Sequence, residues 1–315
     1  MSASGKEERL ARLRQHIARI EGGVSGRRIA VGPSPAADPA GTVMDMAHDP
    51  DLASGELASG GVVTLGVAEI DCRLPGRGLQ PGRLHEVVGA IEGAGTGFVA
   101  HLLRRLMALD RDAGEGIGEG SGGPVLWCAP QDSLYAPGLA SRGLDVDRLV
   151  MVVAPRRDDR LWAMEESLRC PGVLAVVGEL QGREPVGLTA SRRLQLAAGQ
   201  GGAMALLLRP PPPGAGLAQQ NAGEGAREDD DAVAGLVAGA SAAVTRWHVQ
   251  ALPSAPDGGG SCDMGRRSRW RLALTRSRTG ARHRWTVEVD HATGDFALAP
   301  PLRDRSGAEG RTAVA

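Results

Sequence analysis

The clearest indication of the fold is the stretch Gly82-Arg-Leu-His-Glu-Val-Val-Gly-Ala-Ile-Glu-Gly-Ala-Gly-Thr-Gly97. It has the layout of an apolar strand, a glycine-rich turn and the start of a helix, as in a phosphate-binding loop. A working loop ends in a Lys followed by Ser or Thr, which neutralise the β- and γ-phosphates and hold Mg²⁺. Here the corresponding residues are Gly95-Thr96-Gly97-Phe98, and Lys6 is the only lysine in the chain. The architecture of a nucleotide site is therefore predicted without its cation.

Outward from this stretch, short apolar runs alternate with helical patterns. Continuous runs rich in Leu and β-branched residues are typical of parallel strands that are buried on both faces. Strand–helix alternation implies right-handed βαβ units, and hence an open α/β sheet. The predicted strands are Leu84–Val88, Val125–Cys128, Leu149–Val153, Val173–Val177 and Ala203–Leu208. The predicted helices are Phe98–Leu109, Ala136–Arg142, Leu161–Arg169 and Thr189–Ala198, the last with Thr189 as its N-cap.

After residue 242 the hydrophobic period changes to two. Trp270, Leu272 and Leu274 alternate with polar or small residues, and so do Trp285, Val287 and Val289. The turn between them contains Thr279-Gly280, so an antiparallel hairpin with one apolar face is predicted. The run Val244–Val249 supplies a third strand. The predicted fold is thus an α/β core with a mostly parallel sheet flanked by helices, to which C-terminal antiparallel strands are added.

The chain is predicted to have four parts. Residues 1–21 contain an amphipathic helix, because Leu10, Leu13, Ile17 and Ile20 recur at steps of three and four. Its apolar stripe packs either on a partner subunit or on the protein's own core. Residues 22–60, rich in Gly, Ala, Pro and Asp, are predicted to be a linker. The core spans 61–299, with its added strands at 243–299 and a mobile loop at 210–240, and 300–315 form a disordered tail.

Composition excludes several classes of protein. The chain is 42% hydrophobic, enough for one large core. Its net charge of −1 gives no overall attraction to nucleic acid, so any contact with DNA requires a local patch. The four cysteines are widely spaced, which argues against a disulfide framework or a structural zinc site. The histidines do not have the spacing of metal ligands, which argues against a metal site. With no apolar run long enough to span a membrane, a soluble cytoplasmic protein is predicted.

Several phrases resemble known families. The core of RecA-type recombinases is resembled by four segments: Gly60–Asp71, Gly82–Val87, Gly143–Leu149 and the strand Val173–Val177. This resemblance implies a RecA-like, P-loop-NTPase-type core. More specific phrases resemble the ImuA family over most of the chain. They are Pro124-Val-Leu-Trp-Cys128, Leu134-Tyr-Ala-Pro-Gly-Leu-Ala140, Leu161-Trp-Ala-Met-Glu-Glu166, Val176-Val-Gly-Glu-Leu180, Leu188-Thr-Ala-Ser-Arg-Arg-Leu-Gln-Leu-Ala-Ala198 and Thr245-Arg-Trp-His-Val249.

The resemblance implies a role rather than a reaction. Proteins of the ImuA family are RecA-like accessory factors of SOS-induced mutagenesis. The implied partners are an inactive Y-family polymerase-like protein (ImuB) and an error-prone replicative polymerase of the DnaE type, with RecA as a further candidate. Two alternatives stay open: a DNA-stimulated ATPase of the RecA superfamily, and an inhibitor of cell division similar to SulA.

Three positions carry ATP hydrolysis in an active recombinase, and this sequence departs from the pattern at each. The degenerate nucleotide loop comprises Gly89, Gly93, Gly95, Thr96 and Gly97, with Glu92 beside it to repel phosphate. Its amides still offer an anion site, so weak ATP binding stays open.

The other two departures concern acidic groups. The general base falls near Ala129-Pro130, with Asp132 as a weak substitute, and the metal-orienting Asp falls at Gly178, followed by Glu179. Glu179 is either a relocated metal ligand or a capped or solvated carboxylate. No catalytic residue, no metal and no cofactor beyond weakly bound ATP are therefore predicted.

Basic residues concentrate around the C-terminal hairpin. Three interpretations of this cluster stay open: a nucleic-acid surface, a surface for an acidic protein partner, and solubility alone. By contrast, Glu228-Asp-Asp-Asp231 in the loop 210–240 would oppose a phosphate backbone. The strand alternation places Trp270 and Trp285 in the core. The candidate DNA or partner surface consists of Arg266, Arg267, Arg269, Arg271, Arg276, Arg278, Arg282 and Arg284.

Overall fold

The computed structural model describes residues 61–89, 93–113, 122–131, 134–181, 186–211, 239–253, 267–291 and 293–299. Five α-helices lie in this part: α1 Ala68–Asp71, α2 Ala94–Ala113, α3 Ala136–Ala140, α4 Arg157–Leu168 and α5 Leu188–Gly201. The strands are β1 Leu84–Gly89, β2 Val125–Ala129, β3 Leu149–Val153, β4 Ala175–Glu179, β5 Met204–Arg209, β6 Thr245–Leu252, β7 Arg267–Ser277, β8 His283–Asp290 and β9 Phe296–Leu298.

All nine strands form one sheet, in the order β3-β2-β4-β5-β1-β6-β7-β8-β9. The strands from β3 to β6 pair in parallel. From β6 onward each strand is antiparallel to its neighbour. The predicted fold class, a mostly parallel α/β sheet with C-terminal antiparallel strands added to it, is confirmed. Since β6 pairs directly with β1, the added strands extend the same sheet.

The core lies between α2 and one face of this sheet. Phe98 of α2 packs against Trp247 of β6, with ring centroids 5.7 Å apart, and against Phe296 of β9 at 6.2 Å. Trp270 and Trp285 are each 4% exposed and belong to the same core, as predicted from the alternation. The tryptophans of the hairpin are therefore held by packing and are not presented to solvent for base stacking.

The helix boundaries differ from the sequence prediction in physically clear ways. Helix α2 begins at Ala94, four residues before the predicted Phe98, so part of the glycine-rich stretch is already helical. Thr189 does not cap α5, because the helix begins at Leu188 and the N-cap position is Gly187, which has no side chain to accept a hydrogen bond. The predictions for residues 1–21, 22–60 and 300–315 lie outside the described residues.

An ion network crosses the opposite face of the central strands. Glu86 of β1 is 1% exposed and accepts a hydrogen bond of 2.5 Å from Nε of Arg246 on β6. The hydroxyl of Ser241 donates a hydrogen bond to Oε1 of Glu86. A guanidinium nitrogen of Arg209 on β5 lies 3.7 Å from Oε2 of Glu86. This carboxylate is surrounded by groups that favour its charged form, which is the arrangement that a buried anion requires.

Candidate functional site

The glycine-rich stretch runs from the end of β1 to the first turn of α2. A Cβ at position 89 would lie 2.9 Å from the carbonyl oxygen of Val249 and 3.0 Å from Cα of Gly95. Only glycine allows this approach of the helix to the strand end. Gly97 is similarly constrained, because a Cβ there would lie 3.0 Å from the ring of Trp270. Residues 90–92, including Glu92, lie outside the described part.

The structure brings the position predicted for the metal-orienting Asp, Gly178, to the same edge of the sheet. Strand β4 pairs with β5, which pairs with β1, so the carboxyl ends of all three meet where α2 begins. At the end of β4, Gly178 has no room for a side chain, because the sulfur of Met164 occupies the space that a Cβ would fill. A side chain at position 178 would therefore require Met164 of α4 to move.

Glu179 does not have the solvated environment considered above. It is 1% exposed, and the indole nitrogen of Trp127 donates a hydrogen bond of 3.3 Å to its Oε2. Trp127 belongs to the core cluster on the α2 side, so this carboxylate lies on the same side of the sheet as the glycine-rich stretch. The interpretation of Glu179 as a solvated group is wrong. Ala129 is buried at the end of β2, and Asp132 lies outside the described residues.

Sequence reasoning missed one cation near the loop. The guanidinium group of Arg142 lies beside the first turn of α2, with a nitrogen 3.6 Å from where a Cβ of Gly97 would sit. It lines a cavity of about 20 Å³ together with His101, Trp270, Asp290 and His291, a volume that fits a single water molecule. Arg142 follows α3 in sequence, far from the glycines, and no local motif indicated that it would lie here.

Buried histidines surround the core, and each has a lowered pKa. Burial lowers the pKa of His85 to about 4, although its ring bonds the hydroxyl of Thr245 at 2.8 Å and the carbonyl of Gln80 at 3.0 Å. Burial and the neighbouring Arg105 and Arg104 lower the pKa of His101 to about 3. For His248, burial acts with Arg209 and Arg246 to give a pKa of about 3. These imidazoles are neutral at physiological pH.

No group of three His, Cys, Asp or Glu residues in the described ranges is placed to hold a metal ion. Cys128, which follows Trp127 on β2, is fully buried, and burial raises its pKa to about 12. A thiol with this pKa is protonated at neutral pH and is a poor nucleophile or metal ligand.

The members of the predicted arginine cluster differ in their exposure to solvent. Arg278 and Arg282 lie exposed at the turn of the hairpin, and Arg267 is exposed at the start of β7. Arg269 is 5% exposed, and Nε of Arg276 donates to the carbonyl of Ala243. Arg271 and Arg284 are half-buried, and Arg266 lies outside the described residues. The cluster thus divides into an exposed group and a group held against the sheet.

None of the helices in the described ranges is both long enough and apolar enough to cross a membrane. A search against family models gives no match. Among solved structures, the RadB recombinase aligns with a TM-score of 0.48 and 12% sequence identity. The alignment covers 76% of this chain and 100% of the RadB chain.

Curated relatives are closer in sequence. Two proteins named Protein ImuA, from Caulobacter vibrioides strains NA1000 / CB15N and ATCC 19089 / CIP 103742 / CB 15, are each 34% identical to this chain over 252 residues. The matched region covers 77% of this chain and 91% of each relative. On this identity and coverage, the chain belongs to the ImuA family.

Proposed function

We propose that this protein is a noncatalytic, RecA-like accessory factor of SOS-induced, error-prone translesion DNA synthesis. Its membership of the ImuA family supports the accessory role in mutagenesis. In this proposal it binds an ImuB-like homologue of Y-family polymerases and a DnaE-type polymerase, and RecA is a further partner. It contributes binding surfaces to that assembly and turns over no nucleotide.

The proposal that the protein is noncatalytic rests mainly on the residues at the carboxyl end of β4. Gly178 supplies no carboxylate where an active recombinase has its metal-orienting aspartate, and Met164 of α4 occupies the space beside it. The adjacent carboxylate, Glu179, is buried and accepts a hydrogen bond from Trp127. Phosphoryl transfer depends on positioned cations and metal ions, and removing one such group costs several kcal/mol of transition-state stabilisation. The Lys-Thr pair of an active loop falls near Thr96-Gly97, which supply no cation, so two such groups are missing.

The test is a complementation experiment. A strain that lacks its own copy of the gene is supplied with the wild-type protein or with the Thr96→Ala variant, and mutation frequency is measured after DNA damage. We expect both to restore the induced frequency equally, because the hydroxyl of Thr96 has no magnesium to hold. A folded Thr96→Ala protein that restores nothing beyond the empty vector, together with DNA-stimulated ATP turnover by the purified wild type, would favour the ATPase alternative.

The partner proposals are tested separately. The tagged protein is isolated after DNA damage, and its co-purifying proteins are identified and then reconstituted from pure components. We expect direct binding to the ImuB-like protein, and recovery of the DnaE-type polymerase in the same assembly. Recovery of neither, with the tagged protein folded and expressed, would contradict the accessory role.

A further inference from the structure

The nine-stranded sheet ends in two unlike edges. One edge is β9, which has only the three residues Phe296–Leu298. The other edge is β3, Leu149-Val-Met-Val-Val153, which pairs with β2 and with no other described strand. Edge strands are usually protected by shortness, a proline, a bulge or a charged side chain, because their unpaired backbone groups attract other strands. Strand β9 is short, whereas β3 has five apolar residues and none of these features.

The backbone groups of β3 that face the free edge follow from one hydrogen bond. The N–H group of Ala154, just after the strand, donates to the carbonyl of Ala129 on β2. Successive residues of a strand direct their N–H and C=O groups to opposite sides. Every second residue back from Ala154 therefore also faces β2, whereas Leu149, Met151 and Val153 direct their backbone groups away from the sheet.

This outer row of backbone groups is only partly bonded. The N–H group of Leu149 donates to the carbonyl of Val146 in the preceding turn. Within the described ranges, no hydrogen bond reaches the N–H groups of Met151 and Val153 or the carbonyls of Leu149, Met151 and Val153. The edge is also accessible, since Val153 is 51% exposed. Strand β3 can therefore accept a further strand.

We propose that this strand is β3 of a second copy of the chain, paired antiparallel across a two-fold axis at Met151. In this register Leu149 lies opposite Val153 of the second copy, so that apolar residues meet apolar residues along the whole pairing. Each Met151 donates to the carbonyl of the other, and each Val153 N–H group donates to a Leu149 carbonyl. The N–H group of Leu149, which is already bonded, lies at the end of the pairing and is not required.

Charges at the two ends of β3 favour this occupant and this direction. The turn before the strand contains Asp145 and Asp147, and its Arg148 forms an ion pair within its own chain. The segment after the strand contains Arg156, whose side chain is 63% exposed. It lies 3.0 Å from Asp159, and a guanidinium group has donors for a second carboxylate. An antiparallel pair places the acidic end of each copy beside the basic end of the other, whereas a parallel pair places like charges together.

The interface is small and closed. One pair of five-residue strands lies at the low end of specific interfaces, so we expect a dissociation constant in the micromolar range. The same surface is used by both copies, so the assembly stops at a dimer and does not grow into a filament. It joins the two sheets into one continuous sheet. The dimer does not require the accessory role proposed above.

The first test is sedimentation equilibrium of the full-length protein. The wild-type mass should rise with concentration from 32.6 kDa toward twice that value. Met151→Lys and Met151→Glu should each weaken the dimer at least about tenfold, because like charges then meet across the axis. An equal mixture of the two variants should regain it, because the lysine of one copy then faces the glutamate of the other. Leu298→Lys, at a residue 41% exposed on β9, is the matched control and should dimerise like the wild type.

Two outcomes would overturn the proposal. One is a wild-type protein that stays at 32.6 kDa up to millimolar concentration, as it would if the edge accepts a strand of another protein instead. The other is a mixture of the two Met151 variants that remains monomeric although circular dichroism shows both to be folded.

The second test keeps the charges unchanged. Cys72, Cys170 and Cys262 are replaced by Ser, and either Met151→Cys or the control Leu298→Cys is added. A short bismaleimide should then cross-link the Met151→Cys protein into a dimer at least about tenfold faster than the control, since its two thiols lie close together at the axis. Equal rates for the two proteins would contradict pairing through β3.

Discussion

At the scale of single residues, the site is shaped by glycines whose Cβ positions are closely approached by neighbouring atoms. Gly89, Gly97 and Gly178 each face an atom that a Cβ would meet at 3.0 Å or less. The sequence predicted the glycine-rich stretch, because glycine spacing is a local pattern. The contact between Gly178 and Met164 joins β4 to α4 across the sheet, and no local pattern contains it.

Gly178→Ala should destabilise the protein by about 1–3 kcal/mol, because the new methyl group collides with the sulfur of Met164. Gly187→Ala is the matched control, since no atom lies within 4 Å of a Cβ there, and its effect should stay within about 0.5 kcal/mol. Urea unfolding measures both. The Met164→Ala, Gly178→Ala double variant should lose less than the sum of the two single changes, and simple additivity would show that the residues do not meet.

His248 should make stability depend on pH in a defined direction. Its pKa is about 3 in the folded protein against 6.5 for an ordinary imidazole, so the unfolded chain binds the proton more tightly. The contribution of His248 to the unfolding free energy is therefore fully present above pH 6.5 and is lost as the pH drops toward 3. Between pH 7.5 and 5.0 this one group removes about 2 kcal/mol.

Urea unfolding of the wild type and of His248→Gln at both pH values measures that contribution. The variant should lose about 2 kcal/mol less than the wild type over the same interval, because the remaining titrating groups are common to both. Between pH 7.5 and 8.5 neither protein should change through this group. An equal loss in both proteins would show that His248 is not held neutral by the fold.

At the scale of elements, the apolar runs predicted the parallel strands well. A strand that is buried on both faces has few polar residues, and this composition is visible in sequence. Strand β1 breaks the rule with His85 and Glu86, which are 0% and 1% exposed. Their partners, Thr245 and Arg246, follow 160 residues later on β6. The pairing of β1 with β6 explains both residues, and sequence alone does not show that pairing.

Glu86→Gln should destabilise the protein by about 3–5 kcal/mol, because it leaves Arg246 and Arg209 buried without their carboxylate. Glu166→Gln is the matched control. It removes the ion pair with Arg169, whose side chain is 43% exposed, and such surface pairs contribute at most about 1 kcal/mol. Thermal and urea unfolding measure both variants. A similar, small loss in each would mean that β1 and β6 are held by packing alone.

At the scale of the whole molecule, the fold class was predictable, and the strand order was not. Alternation of strands and helices predicts an open α/β sheet. The change of period after residue 242 predicts added antiparallel strands, but it leaves open whether they form a separate layer. In the structure Trp247 and Trp285 join Val87 and Phe98 in one core, so α2 packs on parallel and antiparallel strands together.

This shared core predicts that the parallel and antiparallel halves unfold in one transition. Trp127 reports on the parallel half, and Trp270 reports on the antiparallel half. In variants in which Trp127 or Trp270 is the sole remaining tryptophan, the other four being replaced by Phe, fluorescence in urea should give the same midpoint, coincident with far-UV circular dichroism. The substitutions change stability themselves, so each variant is compared with its own circular dichroism curve. A fluorescence midpoint for Trp270 well below that of its circular dichroism would mean that the antiparallel strands unfold first, and that α2 alone does not couple the two halves.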